Sequence, residues 1–309
     1  MTILYTHPSS KAHETPLGHP ERIARIEAIE DKLRQGAFDA LTRKEAPIGT
    51  EDNVLRCHPK DYFERIKSSI PAQGIKQLDS DTHVSSGSFN AAMHAVGAAC
   101  AAVDDLLSGA DKNAFCATRP PGHHAETSKP MGFCLFGTVA IAAKHALASG
   151  LERVAIVDFD VHHGNGTQDL CWADERILFV SSHQMPLWPG TGETHEIGAH
   201  NNIVNVPLRP NATGADLMQT YESDILPRLA ANEPEMLFIS AGFDAHEDDP
   251  LANLSFTTKE FAQITRMLCE FATTHCQGRV VSTLEGGYDL EALAASVAAH
   301  IKVLMEYGT

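Results

Sequence analysis

The chain has 309 residues, 43% hydrophobic and 21% charged, with 40 acidic against 24 basic residues and a formal net charge of −16. That balance, with no run of clustered Lys or Arg, excludes the basic footprint of a nucleic-acid binder and leaves a cationic substrate or partner compatible. Seven cysteines without a C-x-x-C pair predict buried thiols in a reducing compartment, and neither a signal peptide nor a membrane-length apolar run is visible, so a cytoplasmic protein is expected.

In chain order, short apolar runs predict strands over 2–5, 113–118, 153–159, 176–182, 202–208, 235–241 and 279–285. The runs are nearly continuous rather than alternating, as strands buried on both faces should be. Amphipathic stretches between them predict helices at about 20–34, 59–69, 87–107, 137–148, 215–231, 257–275 and 289–305. The third helix is lined with small residues (Ala91, Ala92, Ala95, Gly97, Ala98, Ala99) suited to close packing on a sheet, and Ser86 or Ser88 is the expected cap. Strand alternating with helix predicts an α/β fold with a mostly parallel sheet. No internal repeat or linker-like break divides the chain, so 1–309 reads as one domain.

Four of the strands run into unusual polar clusters: RPPGHH after 113–118, DFDVHHGNGTQ after 153–159, AGFDAHEDDP after 235–241 and EGGYD after 279–285. Ligands of open α/β sheets sit outside the carboxyl ends of the strands, so all four clusters converge on one expected site. Asp160 and His162 are two apart on an extended segment and share a side. With Asp244 from another strand end they make three metal ligands and leave an open position, as catalytic zinc requires. Strand-end carboxylates taking backbone hydrogen bonds are the plain alternative for a lone D-x-D.

Those assignments free His123 and His124 to act as acid–base groups on a water held at the metal. Asp158 and Asn165 are the nearest candidates to orient them. A carboxylate partner raises a histidine's basicity and an amide does not, so the pair should differ in pKa. Tyr288, after two glycines, is placed to donate to a developing oxyanion. Phe133 and Trp188, in the loops GFC and PLWPGTG, are either channel walls or core.

With these motifs the sequence resembles the zinc-dependent histone deacetylases, of the bacterial class II-like type in the arginase/deacetylase superfamily. HPERIARI, DSDTHVSSGSFNAA, GFCLF, PGTGE, NIVNVPL and SAGFDAHEDDPL extend the likeness over nearly the whole chain. The resemblance implies the arginase/deacetylase fold, with a sheet of about eight strands and helices on both faces. It implies one zinc on Asp160, His162 and Asp244. His124 becomes the main general base and acid, bonded to Asn165, while His123 is more electrostatic and held by Asp158. Tyr288 polarises the scissile carbonyl. Phe133 and Trp188 flank an acyl-lysine tunnel, the Gly132 carbonyl receives the substrate amide, Asp81 grips the substrate at the rim, and Arg22 lines the cavity beyond the zinc. Two potassium sites built largely of backbone carbonyls are also implied, one on Asp158, Asp160, His162, Ser181 and Ser182, the other on Cys171, Asp174, Ile177 and Asn202.

The chain departs from the pattern at Gly137, where Asn is common, and at Trp188, where Phe or Tyr is usual. It is also short, so the added domains of eukaryotic members are not expected. The expected function is zinc-dependent removal of acetyl or other acyl groups from acyl-lysine in proteins or peptides. Hydrolysis of acetylpolyamines or other small acyl-amines is the alternative, with esterase activity within reach, and self-association is left open. Polyamine-specialised relatives carry an acidic gate where this chain has the apolar Leu251, which lines the expected substrate path. A two-manganese ureohydrolase is disfavoured because Gly164 and His246 stand where bridging carboxylates would be. A non-catalytic binding module is disfavoured because every catalytic position is filled.

Overall fold

The computed structural model describes residues 1–109 and 111–308. Its strands are β1 (Thr2–Thr6), β2 (Thr42–Glu45), β3 (Ile75–Gln77), β4 (His83–Ser85), β5 (Asn113–Cys116), β6 (Val154–Asp158), β7 (Ile177–Gln184), β8 (Ile203–Leu208), β9 (Leu237–Ala241) and β10 (Val280–Leu284). Its helices are α1 (Ile23–Leu33), α2 (Glu51–Leu55), α3 (Lys60–Ser69), α4 (Ser88–Leu107), α5 (Thr138–Ala148), α6 (Asn165–Cys171), α7 (Gly214–Thr220), α8 (Leu226–Asn232), α9 (Thr258–His275) and α10 (Leu290–Tyr307).

Eight strands form one sheet in the order β2-β1-β5-β10-β9-β6-β7-β8, and every pairing in it is parallel. Alternate side chains of each central strand enter two separate cores. Leu4, Phe115, Val157, Ile239 and Val280 pack with α1, α9 and α10, whereas Ile3, Ala114, Ile156, Phe238 and Val281 pack with α3, α4 and α5. Burial on both faces explains the continuous apolar runs, since neither face of a strand is left to be polar. The sheet and its two helical layers agree with the expected α/β architecture.

Several local features differ from the sequence reading. Strand β2, TRKE, is polar because it is the sheet's edge, with alternate residues exposed. The β3–β4 hairpin lies outside the main sheet. The predicted helix 215–231 is interrupted by a π turn over Tyr221–Ile225. Pro227, in the first turn of α8, has no N–H to continue a regular ladder there. Helix α4 starts from Gly87 with no side-chain cap, because the Ser88 hydroxyl instead accepts from Ser85 N at 2.7 Å. Gly97 in α4 is required by a neighbouring segment: a Cβ there would collide with the Pro47 carbonyl.

Candidate active site

The central strands β5, β10, β9 and β6 are neighbours and parallel, so the segments following them open at one edge. Those segments carry His123 and His124, Tyr288, Asp244, and Asp160 with His162. The four predicted clusters do converge.

The ligand atoms of Asp160, His162 and Asp244 lie within 4.8 Å of one another, and all three residues are buried. His162 Nδ1 faces Asp160 Oδ1 at 3.2 Å and Asp244 Oδ2 at 3.0 Å. Backbone amides hold the carboxylates: Gly286 N donates to Asp160 Oδ2 at 2.8 Å and Val161 N to Asp244 Oδ1 at 2.9 Å. A Cβ on Gly242 or Gly286 would drive into Asp160, so the glycines let the backbone close over the cluster. Burial alone would lower the His162 pKa, but the two carboxylates override it and raise it to about 10. A point that favours positive charge so strongly, bounded by one imidazole and two carboxylates, fits a divalent cation with an open coordination position. Among the described residues this is the single such group. His246 sits instead with its Nδ1 accepting from Asp248 N, and His163 with Thr191 and Gln168.

The tandem histidines divide as their partners dictate. His123 Nδ1 meets Asp158 Oδ2 at 3.0 Å and His124 Nδ1 meets Asn165 Oδ1 at 2.8 Å. The Asn165 amide is oriented because its Nδ2 donates to Glu126 Oε1 at 2.8 Å. Oδ1 can therefore only accept, and it fixes His124 as the tautomer with a free lone pair on Nε2. Burial opposes charge on His123, but Asp160 and Asp158 raise its pKa well above the usual range. Burial, then the neighbouring charge of His123, holds His124 well below it. The two neighbouring rings are thus biased toward opposite charge states.

A cavity of about 250 Å³ opens over this group, lined by Asp81, His124, Gly132, Phe133, His162, Leu187, Trp188, Leu251 and Tyr288. Trp188 is 41% exposed and meets the His124 ring edge-on at 4.7 Å, so it forms wall and mouth rather than core. Phe133 takes a left-handed backbone conformation, φ 68°, and Gly132 beside it has φ 57°. A Cβ on Gly132 would collide with the His124 ring, so glycine is required. Asp81 Oδ1 accepts from Gly132 N at 3.0 Å, which ties the turn between β3 and β4 to the cavity wall. Tyr288 is 8% exposed, and its pKa is raised by burial and then by Asp244, which keeps the phenol a proton donor.

One expected residue is misplaced. Arg22 is exposed at the start of α1, whereas Arg25, one turn on, is fully buried with its guanidinium 5.0 Å from the centre of the Tyr288 ring. Arg25 donates to the carbonyls of Gly287 and Glu285 and to Glu21. Arg22 is the N-cap of α1, extended and outside the helix, whereas Arg25 lies within its first turn and turns inward with Ile26 and Ile29.

The two sets of implied potassium ligands behave differently. Asp158 and Ser181 are register partners on β6 and β7, with Asp160, His162 and Ser182 beside them, all buried. Burial, chiefly, raises the Asp158 pKa to about 7 despite His123, so a further cation suits this place. In the second set the side chain of Asn202, rather than its carbonyl, points among the carbonyls of Cys171, Asp174 and Ile177. That set does not form the expected open ring of backbone ligands.

Three supporting groups escaped the sequence reading. Glu285 Oε2 accepts from Gly122 N at 2.7 Å and His123 N at 3.1 Å, fixing the tandem-histidine turn. Asp249 Oδ2 accepts from Tyr288 N at 2.7 Å. Glu21 is buried between Arg119 and Arg25, and despite burial the Arg119 charge holds its pKa well down. Their signal was present in the glutamate of EGGYD, the second aspartate of HEDDP and the glutamate of HPERIARI, but only the fold reveals what each charge meets.

The chain as a whole is similar to known proteins. The family model described as "Histone deacetylase domain" matches residues 19–304. A "Probable deacetylase" of Archaeoglobus fulgidus is 37% identical over 297 residues, covering 94% of this chain and 82% of that protein. A "Histone deacetylase-like amidohydrolase" of Pseudomonas aeruginosa is 37% identical over 274 residues, covering 87% and 71% respectively. The crystal structure of the HDA15 HD domain superposes with a TM-score of 0.94 at 33% identity, covering 99% of this chain and 88% of that one. A match this long, to a fold and to a family model alike, identifies the chain as a member of the histone deacetylase family.

Proposed function

We propose that 1–309 acts as one catalytic domain, a zinc-dependent hydrolase that removes acyl groups from acyl-lysine side chains. The observation that carries this reading is the split pair His123 and His124 beside the Asp160–His162–Asp244 cluster, at the base of an aromatic-walled cavity. Zinc bound there supplies Lewis-acid polarisation and a water acidified toward neutral pH. His124 Nε2 takes the proton of the attacking water and returns it to the departing amine. Cationic His123 stabilises the negative charge that accumulates beside it. The Tyr288 phenol donates to the carbonyl oxygen as it becomes an oxyanion. Phe133 and Trp188 hold the alkyl stem of the substrate, excluding water, and Asp81 meets the backbone or amine at the rim. A monovalent cation at Asp158, Asp160, His162, Ser181 and Ser182 balances the buried carboxylates.

The test is a comparison of kcat/KM for acetyl-lysine peptides, longer acyl-lysines, acetylputrescine and simple esters, on protein stripped with a chelator and reloaded. One zinc per chain should restore activity, with a peptide preferred. Preference for acetylputrescine, which the net charge of −16 and Asp81 would also suit, makes the protein a small-amine amidohydrolase. A requirement for two metals per chain defeats the reading.

A further inference from the structure

The last residue of α6, the turn after it and the first residue of β7 hold three carbonyl oxygens around one atom. Asn202 Nδ2 lies 3.0 Å from Cys171 O, 3.2 Å from Asp174 O and 3.1 Å from Ile177 O. An amide nitrogen carries two hydrogens, so three acceptors exceed what it can satisfy. Converging carbonyl dipoles of this kind concentrate negative potential, which either a desolvated cation or a donor fixed among them can satisfy.

With Oδ1 inward, four oxygens would face one another and only a cation between them could hold them, so the amide's orientation separates the two arrangements. Oδ1 accepts instead from His200 N at 3.3 Å, and a Cβ on Gly198 would crowd that same oxygen. The Asn202 backbone carbonyl is also engaged, accepting from Phe179 N at 2.9 Å. The side chain is buried, as are Cys171 and Ile177.

We propose that the Asn202 side-chain amide substitutes for a monovalent cation, so that the second potassium site implied by the family resemblance is filled by the protein itself. Asn202 thereby ties the end of α6 and the start of β7 to β8 without a soluble ion. Helix α6 begins at Asn165, the partner of His124, so the tie bears on the anchorage of the reactive base. The inference depends on the carbonyl geometry alone and stands whether or not the acyl-lysine reading holds.

Rubidium, a heavier stand-in for potassium, tests it. Wild type and Asn202→Ala are prepared in tetramethylammonium chloride, crystallised, and soaked in rubidium chloride for anomalous scattering. Thermal unfolding is followed in parallel as potassium chloride replaces tetramethylammonium chloride at constant ionic strength. The wild type should show no rubidium among the carbonyls of Cys171, Asp174 and Ile177. Asn202→Ala should show rubidium there. Its Tm, lower than wild type in tetramethylammonium by a few degrees, should recover with potassium by more than the wild-type Tm rises. Rubidium in the wild-type cradle, with the amide displaced, overturns the proposal. So does an Asn202→Ala protein with neither rubidium in the cradle nor an extra response to potassium. Should Asn202→Ala fail to fold, Asn202→Ser serves as the enlarged cradle and the wild-type map decides independently.

Discussion

His123 and His124 are chain neighbours with ring centres 3.9 Å apart, yet they prefer opposite charge states. The cause is one atom across each Nδ1, a carboxylate oxygen of Asp158 for the first and an amide oxygen of Asn165 for the second. His124→Ala should therefore cost about 10² to 10⁴-fold in kcat, the usual worth of a general base, and His123→Ala less. Asn165→Asp makes a sharper test. In the proposed mechanism the base is neutral His124, whose pKa burial and the charge of His123 hold well below the ordinary imidazole range, so activity should fall only at acid pH. A carboxylate on Nδ1 stabilises the imidazolium, and Glu126 adds a field of the same sign. The acid limb of kcat/KM should move to higher pH in Asn165→Asp. A limb that stays in place means that another group is the base.

At the scale of elements, the reactive turn after β5 is held from the end of β10. Glu285 takes two buried amide protons, those of Gly122 and His123, and lies within reach of the Ser240 and Thr283 hydroxyls. Glu285→Ala strips both amides of their acceptor, each costing about 1–3 kcal/mol, whereas Glu285→Gln keeps an oxygen for them. Urea unfolding should rank wild type, then Gln, then Ala, with activity following the same order. Equal stability of Gln and Ala would mean that the turn is fixed otherwise. The strands behind these turns were legible because burial on two faces leaves an unbroken apolar run, and the site was legible because its residues follow those strands. Strand β2 was not, since an edge strand reading TRKE is polar. Helix α6 was not, since GNGTQ is too polar and glycine-rich to suggest a helix, and a site residue starts it. Arg22 was mistaken for Arg25 because a motif gives a neighbourhood, while the point at which the helix starts leaves Arg22 as an extended cap and turns Arg25 inward.

Across the whole molecule, the two apolar layers bury titratable groups far from the reaction, and His300 shows the consequence most cleanly. It is fully buried on α10 among Phe115, Phe159 and Phe243, bonded to Thr265 of α9 and Ser282 of β10 at 2.7 and 2.9 Å. The Thr265 hydroxyl spends its proton on the Phe261 carbonyl, so it accepts from Nδ1, and Ser282 donates to Nε2. Neither ring nitrogen faces a carboxylate that would offset a charge, and burial lowers the pKa to about 3. A histidine depressed in the folded state binds its proton more readily when unfolded. Its contribution is intact above about pH 6.5 and erodes as pH falls toward 3. At pH 5 the shortfall is about 1.5 pH units below the unfolded pKa, or roughly 2 kcal/mol. The buried carboxylates Asp158 and Asp249, both raised to about 7, act in the opposite sense, so the measurement must be comparative. His300→Gln keeps a donor and an acceptor for Thr265 and Ser282 but cannot be protonated. It should be less stable than wild type at pH 7 through imperfect packing, yet lose about 2 kcal/mol less between pH 7 and pH 5 in urea unfolding. Parallel losses in the two proteins would show that His300 does not titrate between the folded and unfolded states in that range, and that the acid sensitivity of the fold resides elsewhere.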